Sequence, residues 1–400
     1  MRTGVIVDND LNDDKRVLRE IEALSGAGFE IFVLCFAFSG KSYRETGGIK
    51  VTRIRISKGM KNVLFFFLNT IPAYGWLWSG KIKKFITGND LDSLHVHDLY
   101  MSEAAYRGIR KSGKDIPMIL DLHENYSYAV TTYNWTKGFL RSFITRPQKW
   151  QKKEERLLQY PKGIVVLSEE FRDHLLTKYK FLAATRFCAF PNVPDMIQLD
   201  DFKAKAVNVA FEKKDPVVFY FGVVAERRGI FNAIDAFAEV ISKGYNADLV
   251  IVGPIDKKDR DRFFEMTGIP GIRSRVKYIP WIDLSELPAY LEASDICLAP
   301  FIRNPQHDSG VANKIFDYMS GKRPVIASDC LPQKRLIEKY ECGLIFGNQR
   351  EFVDAIIELL TNPELRHRMG ENGYKAITSE YNLEMKKSGL ISFYRELLNN

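Results

Sequence analysis

Short apolar runs, each followed by a stretch with helical spacing, recur along this 400-residue chain, and after one interruption the alternation starts again. Residues 4–7 read as a buried strand. Residues 15–25 read as a helix with Val17, Leu18, Ile21 and Leu24 on one side, ended by Gly26 and Gly28. Strand-like runs follow at 30–36, 51–56, 94–97, 118–122 and 163–167. Between Pro191 and Pro216 the pattern gives way to a turn-rich junction, Phe190-Pro191-Asn192-Val193-Pro194-Asp195, and a polar stretch over 200–215, which together mark a domain boundary. The alternation resumes with strands at 217–221, 247–252, 276–279, 296–299, 325–327 and 344–345, and helices over 229–242, 352–360 and 363–375. Strand, helix, strand in this order predicts mostly parallel α/β sheets covered on both faces. The expected architecture is two doubly wound, Rossmann-like domains, residues 1–195 and 196–379, with a C-terminal helix in 380–400 packing back on the first. Ligands bind at the carboxyl ends of the strands in such sheets, so a central cleft faced by both domains is the expected site.

Size and charge narrow the function. A single core stops growing near ~250–300 residues, so this length suits two domains. The net charge of +8 suits an anionic partner: nucleic acid, an anionic membrane or a phosphorylated substrate. The basic residues form none of the usual nucleic-acid modules, so no nucleic acid is expected. Cys35, Cys188, Cys297, Cys330 and Cys342 are odd in number and lack metal-ligand spacing. They read as reduced thiols, most of them small core residues, in a cytoplasmic protein. Residues 1–3 lead straight into the first strand, so no signal peptide is expected.

The segment 310–329, GVANKIFDYMSGKRPVIASD, carries the most chemistry. It reads as a small-residue loop, a helix, a tight turn and a strand. Amides at a helix N-terminus favour anions. Lys314 and Asp317, three apart, share one helix face. A cation for phosphate and a carboxylate for hydroxyls is what a nucleotide sugar requires; the bland alternative is a solvated charge pair on an ordinary helix.

This segment resembles the nucleotide-sugar site of retaining GT-B glycosyltransferases of family 4, whose pattern runs roughly Pro-x-Lys-x-x-Glu-Tyr-Met-Ala-x-Gly-Lys-Pro-Val-Ile-Ala-Ser. The resemblance extends over 217–377: Val218-Phe219-Tyr220-Phe221-Gly222, Glu226-Arg227-Arg228-Gly229, the run 247–253, the run 287–296, and Cys342-Gly343-Leu344-Ile345. It is looser in the first half, in 14–24, in His95-Val96-His97-Asp98, in Asp121-Leu122-His123-Glu124 and in 165–169. The family's glycine-rich loop after the first strand is replaced by residues 8–14, Asp-Asn-Asp-Leu-Asn-Asp-Asp, expected on the acceptor side.

The resemblance implies Gly222, Arg228 and Lys314 at the donor diphosphate and Asp317 at the ribose. The family often carries an earlier carboxylate, eight residues before the position of Asp317; here that position is Ser309, beside Asp308. Asp308, Ser309 and the amides of Gly310 and Val311 are therefore the candidates for the donor sugar. His123 is the candidate for the donor sugar or reacting centre, or else a residue that orients its loop. Glu124 is a candidate acceptor-side base, or a loop charge. No cofactor and no metal is expected, since His95 to Asp98 lack further ligands at convincing spacing, and cations replace a divalent ion at the diphosphate. The implied reaction moves a sugar from a nucleoside diphosphate sugar to a hydroxyl, carbohydrate or lipid-linked acceptor with retention, in surface polysaccharide or glycolipid assembly. A GT-B-shaped sugar-nucleotide epimerase and a non-catalytic nucleotide-sugar-binding module are the alternatives.

Two stretches mix aromatics with basic residues: 60–85, and 135–153. The first is broken at Asn69 and Pro72, too short to span a bilayer. Both suit peripheral contact with an anionic membrane at its inner face, or core packing with a solvated basic side.

Overall fold

A computed structural model describes residues 1–12, 14–39, 49–203 and 207–398. Asp13 of the 8–14 segment, residues 204–206 of the polar stretch and the last two residues of the C-terminal segment lie outside the described residues. The chain divides into two compact units, Met1–Pro191 with Lys387–Asn400, and Asn192–Lys386.

The first unit is built on a seven-stranded sheet. Its strands are β1 (Arg2–Ile6), β2 (Glu30–Phe38), β3 (Lys50–Ile56), β4 (Ser93–His97), β5 (Met118–Asp121), β6 (Gly163–Val166) and β7 (Arg186–Ala189), in the order β3-β2-β1-β4-β5-β6-β7. Every pairing is parallel. Such sheets are covered on both faces, so their central strands bury every residue. β4, β5 and β6 do so, and this puts His95, His97 and Asp121 in the interior beside Val96 and Leu120. The helix Ala73–Asn89 seals one side of the core by burying Tyr74, Trp78, Ile82, Phe85 and Ile86. On the C-terminal helix Leu383–Leu398, the Tyr394 hydroxyl lies 2.5 Å from His95 Nδ1.

The second unit carries a six-stranded parallel sheet. Its strands are β8 (Val217–Phe221), β9 (Asp248–Val252), β10 (Val276–Ile279), β11 (Ile296–Ala299), β12 (Val325–Ser328) and β13 (Gly343–Phe346), in the order β10-β9-β8-β11-β12-β13. Strand order reverses between β1 and β4 in the first sheet and between β8 and β11 in the second. A crevice opens at the carboxyl end of the strands where the order reverses.

Several elements were not named from the sequence, among them the helices Ser102–Ser112, Glu169–Lys178 and Leu331–Tyr340, and two of the unnamed elements lack a periodic signal. β7 is a four-residue edge strand that begins on an exposed Arg186 and fully buries only Cys188. The helix Met196–Lys203 forms in the stretch read as the start of a polar junction and buries no residue. Neither produces the apolar periodicity that marks a packed element. All five cysteines are buried and unpaired. Among the described residues no helix is long and apolar enough to cross a membrane.

One glycine joins the two sides of the crevice in the second unit. Gly229 has φ +73°, and a Cβ there would lie 1.5 Å from the Pro300 carbonyl oxygen. The turn after β8 thus approaches the backbone after β11 more closely than any side chain allows. Gly229→Ala is expected to destabilise the second unit by about 2 kcal/mol or more, read as an earlier urea transition. A midpoint equal to the parent's means that the backbone relaxes there freely.

Candidate active site

In the second unit, the turn after β8 and the loop after β11 set a lysine among aromatic rings. The helix Asn313–Ser320 is anchored over this turn by Tyr318, whose hydroxyl accepts the Phe221 N–H at 2.9 Å and donates to the Leu298 carbonyl at 3.3 Å. One turn earlier on that helix, the Lys314 ammonium lies 3.7 Å from the centre of the Tyr220 ring and 5.2 Å from that of Phe301. The Arg228 guanidinium lies 5.1 Å from the same Phe301 centre. The two cations therefore flank one ring. Gly222, with φ +132°, leaves the room: a Cβ there would be 3.1 Å from Lys314 Nζ.

The Lys314 Nζ is buried and has no hydrogen-bond partner. Among the described residues no carboxylate forms a salt bridge with either cation. Burial, and then the Arg228 charge, hold Lys314 well below the usual lysine range, against a weaker pull from Asp317. Burial lowers Arg228 as well, followed by repulsion from Arg227. The helix itself starts on Ala312, which supplies no side-chain cap, so its first-turn N–H groups are without that acceptor. Two uncompensated cations and an uncapped helix N-terminus form a site that favours an anion.

The loop from Phe301 to Ser309 is held by its own contacts. Asp308 accepts the Leu331 N–H at 2.7 Å and the Arg303 Nε–H at 3.2 Å, while Arg303 also donates to Asp329 at 2.9 Å. Both oxygens of Asp308 are thus engaged in shaping the loop. The Ser309 hydroxyl is buried and donates to the Gln306 carbonyl. Gly310 has φ −170°, extended backbone, and Val311 follows it into the helix. His307 is half-buried; its Nδ1 lies 2.6 Å from the Ile302 carbonyl oxygen and its ring packs edge-on against Phe301.

In the first unit, a charged cluster gathers where β1, β4 and β5 end. Arg16 donates from Nε and Nη2 to the two oxygens of Asp121, both at 2.8 Å, and from Nη1 to the Phe190 carbonyl at 2.5 Å. His123 Nε2 lies 3.2 Å from Asp121 Oδ2 and 2.9 Å from His97 Nδ1, and its Nδ1 lies 3.8 Å from Asp98 Oδ1. Burial works against protonating His123, yet Asp98 and then Asp121 outweigh it and lift the imidazole to about 9. Burial opposes ionisation of Asp121 too, but Arg16 and His123 hold it well below the usual carboxylate range. Glu20 is pushed well above that range by burial and by the Asp121 charge. His123 is therefore an imidazolium at neutral pH, backed by an ionised carboxylate. Glu124 accepts the Tyr133 hydroxyl. At the end of β1, Asp8 accepts the Tyr74 hydroxyl and pairs with Lys61 at 3.2 Å, and burial pushes its carboxyl up to about 6.

Glu20, His95, His97 and Asp121 bring one ligand atom each within 4.8 Å of one another. That donor set does not fit a cation well. Arg16 is bonded to both Asp121 oxygens and lies 3.2 Å from Glu20 Oε1, so its guanidinium already supplies the positive charge.

The structure thus brings Gly222, Arg228 and Lys314 together, with Asp317 one turn along the same helix. It gives Asp308 to the loop, and it joins His123 to buried partners that spacing did not connect. Phe301 and Tyr220 escaped the sequence reading, as did the pairing of Arg16 with Asp121. One signal was present: Arg16 and Glu20 stand four apart on the apolar side of a helix, among Val17, Ile21 and Leu24, where unpaired charge is not tolerated.

Comparisons with known proteins agree with this arrangement. Residues 15–195 match the family described as Glycosyltransferase Family 4, and residues 201–376 match Glycosyl transferases group 1. An alpha-D-kanosaminyltransferase of Streptomyces kanamyceticus is 26% identical over 288 residues, 70% of this chain and 71% of that protein. The capsular polysaccharide biosynthesis glycosyltransferase CapM of Staphylococcus aureus is 21% identical over 245 residues, 59% of this chain and 62% of that one. Among solved structures, a sucrose-phosphate synthase from Thermosynechococcus elongatus superposes with a TM-score of 0.74 at 18% identity, covering 100% of this chain and 99% of that one. Anabaena HepE in complex with UDP does so with 0.70 at 14%, covering 99% and 100%. The chain belongs to the GT-B glycosyltransferases of family 4.

Because the His123 value is raised from 6.5 to about 9, its protonation stabilises the fold fully below about 6.5, and that contribution is lost as pH rises through about 9. The imidazole resonances of His123 are expected to titrate near that upper value. A midpoint near 6.5 removes the cation from this account.

Proposed function

We propose that this glycosyltransferase moves a sugar from a nucleoside diphosphate sugar to a hydroxyl acceptor with retention at the anomeric carbon. The observation that carries the reading is the buried, unpartnered Lys314 ammonium beside Arg228. Leaving a buried cation unpaired costs stability, and a diphosphate supplies the missing charge. Arg228 offers forked donors, Lys314 a point charge, and the first turn of Asn313–Ser320 its N–H groups. Asp317 accepts from the ribose hydroxyls. Ser309 and the amides of Gly310 and Val311 serve the donor sugar, with Asp308 acting through the loop that it braces.

In the reaction, the acceptor oxygen bonds to the anomeric carbon while the carbon–oxygen bond to the β-phosphate breaks. The leaving phosphate oxygen takes the acceptor proton, so no enzymic nucleophile is required. The cations stabilise the charge that develops on the leaving group, in place of a divalent metal. For the first unit we assign the acceptor, with His123 as the cationic group at the chemistry and Glu124 beside it. The names of the relatives, a capsular polysaccharide enzyme among them, favour surface polysaccharide or glycolipid assembly as the setting.

A panel of nucleotide sugars read by thermal shift tests this. The true donor raises the melting midpoint by mass action. Lys314→Ala and Arg228→Ala each weaken its binding on the order of ten- to a hundredfold; if both variants respond like the parent, the site is wrong. Since Lys314 is held below its usual range, a bound diphosphate raises its basicity back toward that range. Calorimetry in buffers of different ionisation enthalpy is expected to show proton uptake on binding at alkaline pH, absent in Lys314→Ala. His123→Gln is expected to lower kcat about a hundredfold while donor binding stays at the parental level.

A further inference from the structure

In the first unit, two short helices leave large apolar side chains in solvent. The helix Lys58–Phe66 leaves Met60 and Val63 in solvent, while Leu64 and Phe65 pack partly buried against the core. The helix Phe139–Thr145 buries only Thr145. Phe139, Leu140 and Phe143, spaced i, i+1 and i+4, form one face and are 87%, 72% and 69% exposed. Met60, Val63, Ile71 and Trp76 are also exposed. Isolated exposed apolar residues are ordinary, but a contiguous set of large ones marks an interface.

These elements are neighbours. Asn69 Nδ2 donates to the Thr145 carbonyl at 2.6 Å, Lys153 donates to Asn69 Oδ1 at 2.5 Å, and the Phe65 and Trp135 rings lie 5.6 Å apart. The two helices therefore sit on one surface, tied by Asn69 and by the tilted Phe65–Trp135 contact.

Charge identifies the occupant. Residues 57–89 and 125–153 contain no Asp or Glu and carry eleven Lys and Arg between them, against a net +8 for the whole chain. The rest of the protein is therefore net negative, and its entire basic excess lies in the two segments that expose the apolar residues. Lys58, Lys137, Arg141, Lys149 and Lys152 are exposed. A two-fold dimer through this face would set each basic segment against its own copy, which like charges oppose. An anionic bilayer complements both properties, taking the aromatic side chains at its headgroup boundary and the cations at its phosphates.

We propose that the surface formed by Lys58–Phe66, Ile71, Trp76 and Phe139–Thr145 docks the protein on an anionic lipid bilayer. Phe139, Leu140 and Phe143 insert, and Arg141 with the flanking lysines binds the headgroups. Docking of this kind presents the first unit to an acceptor that is itself lipid-anchored, which rests on the proposed function; the docking itself does not.

The test is co-sedimentation of the full chain with phosphatidylcholine vesicles, with and without phosphatidylglycerol. The parent is expected to sediment with the anionic vesicles at low salt, to leave them at high salt, and to ignore pure phosphatidylcholine. The double variant Phe139→Asp, Phe143→Asp is expected to partition at least tenfold less while keeping the parental melting midpoint and donor-induced shift, since both side chains lie in solvent. No sedimentation with anionic vesicles, or equal partition of parent and variant, overturns the proposal. A parent that is dimeric in solution and a variant that is monomeric would also overturn it, by giving the surface to a second copy. No nucleotide sugar enters the assay, so its failure is distinct from failure of the donor site.

Discussion

A lysine ammonium held in the interior without a carboxylate is the feature around which the second unit is organised. Such a charge is costly to bury. Contact with the Tyr220 and Phe301 rings recovers part of that cost, on the order of 1–2 kcal/mol. The remainder shows as the depressed basicity of Lys314. The surrounding backbone is arranged for this one group. Gly222 withholds a side chain beside the ammonium, Tyr318 fixes the helix that carries it, and Arg303 with Asp308 holds the loop from which Phe301 projects. A site with its charge already desolvated and fixed has little to reorganise when an anion arrives.

The first unit treats buried charge in the opposite way. Arg16 satisfies Asp121 with two hydrogen bonds, and Asp121 together with Asp98 keeps His123 protonated. Burial and neighbouring charge shift Glu20 upward and His95 and His97 downward, each toward its neutral form. The cluster carries two partly exposed members, His123 and Asp98, on a base of buried ones. The His123 imidazolium is therefore set by neighbouring carboxylates rather than by solvent.

The central strands of both sheets, and the helices at 15–25, 229–242, 352–360 and 363–375, were legible because central parallel strands are apolar without interruption and those helices keep a 3.6-residue period. β7 and the helix Met196–Lys203 were not, since an edge strand and an unburied helix need no such pattern. At the site, Lys314, Asp317, Gly222 and Arg228 stand in one compact set of motifs and could be named in advance. Phe301, Tyr220 and the Arg303 brace could not. Each is an ordinary residue by type and acts only through where the chain brings it. Asp308 illustrates the limit most directly: a carboxylate beside the expected position turns out to cap Leu331 and pair with Arg303.

The sequence alone determined the two-fold α/β organisation and the family, because hydrophobic period and motif spacing are local properties that need no folding to be read. It also held the basic excess of residues 57–89 and 125–153, since charge is additive along the chain. Only the tertiary structure decided which of those aromatics remain in solvent, that among the described residues no carboxylate pairs directly with Lys314, and that His123 lies beside two. Pairing and burial depend on residues far apart in sequence, and the sheet order places them side by side.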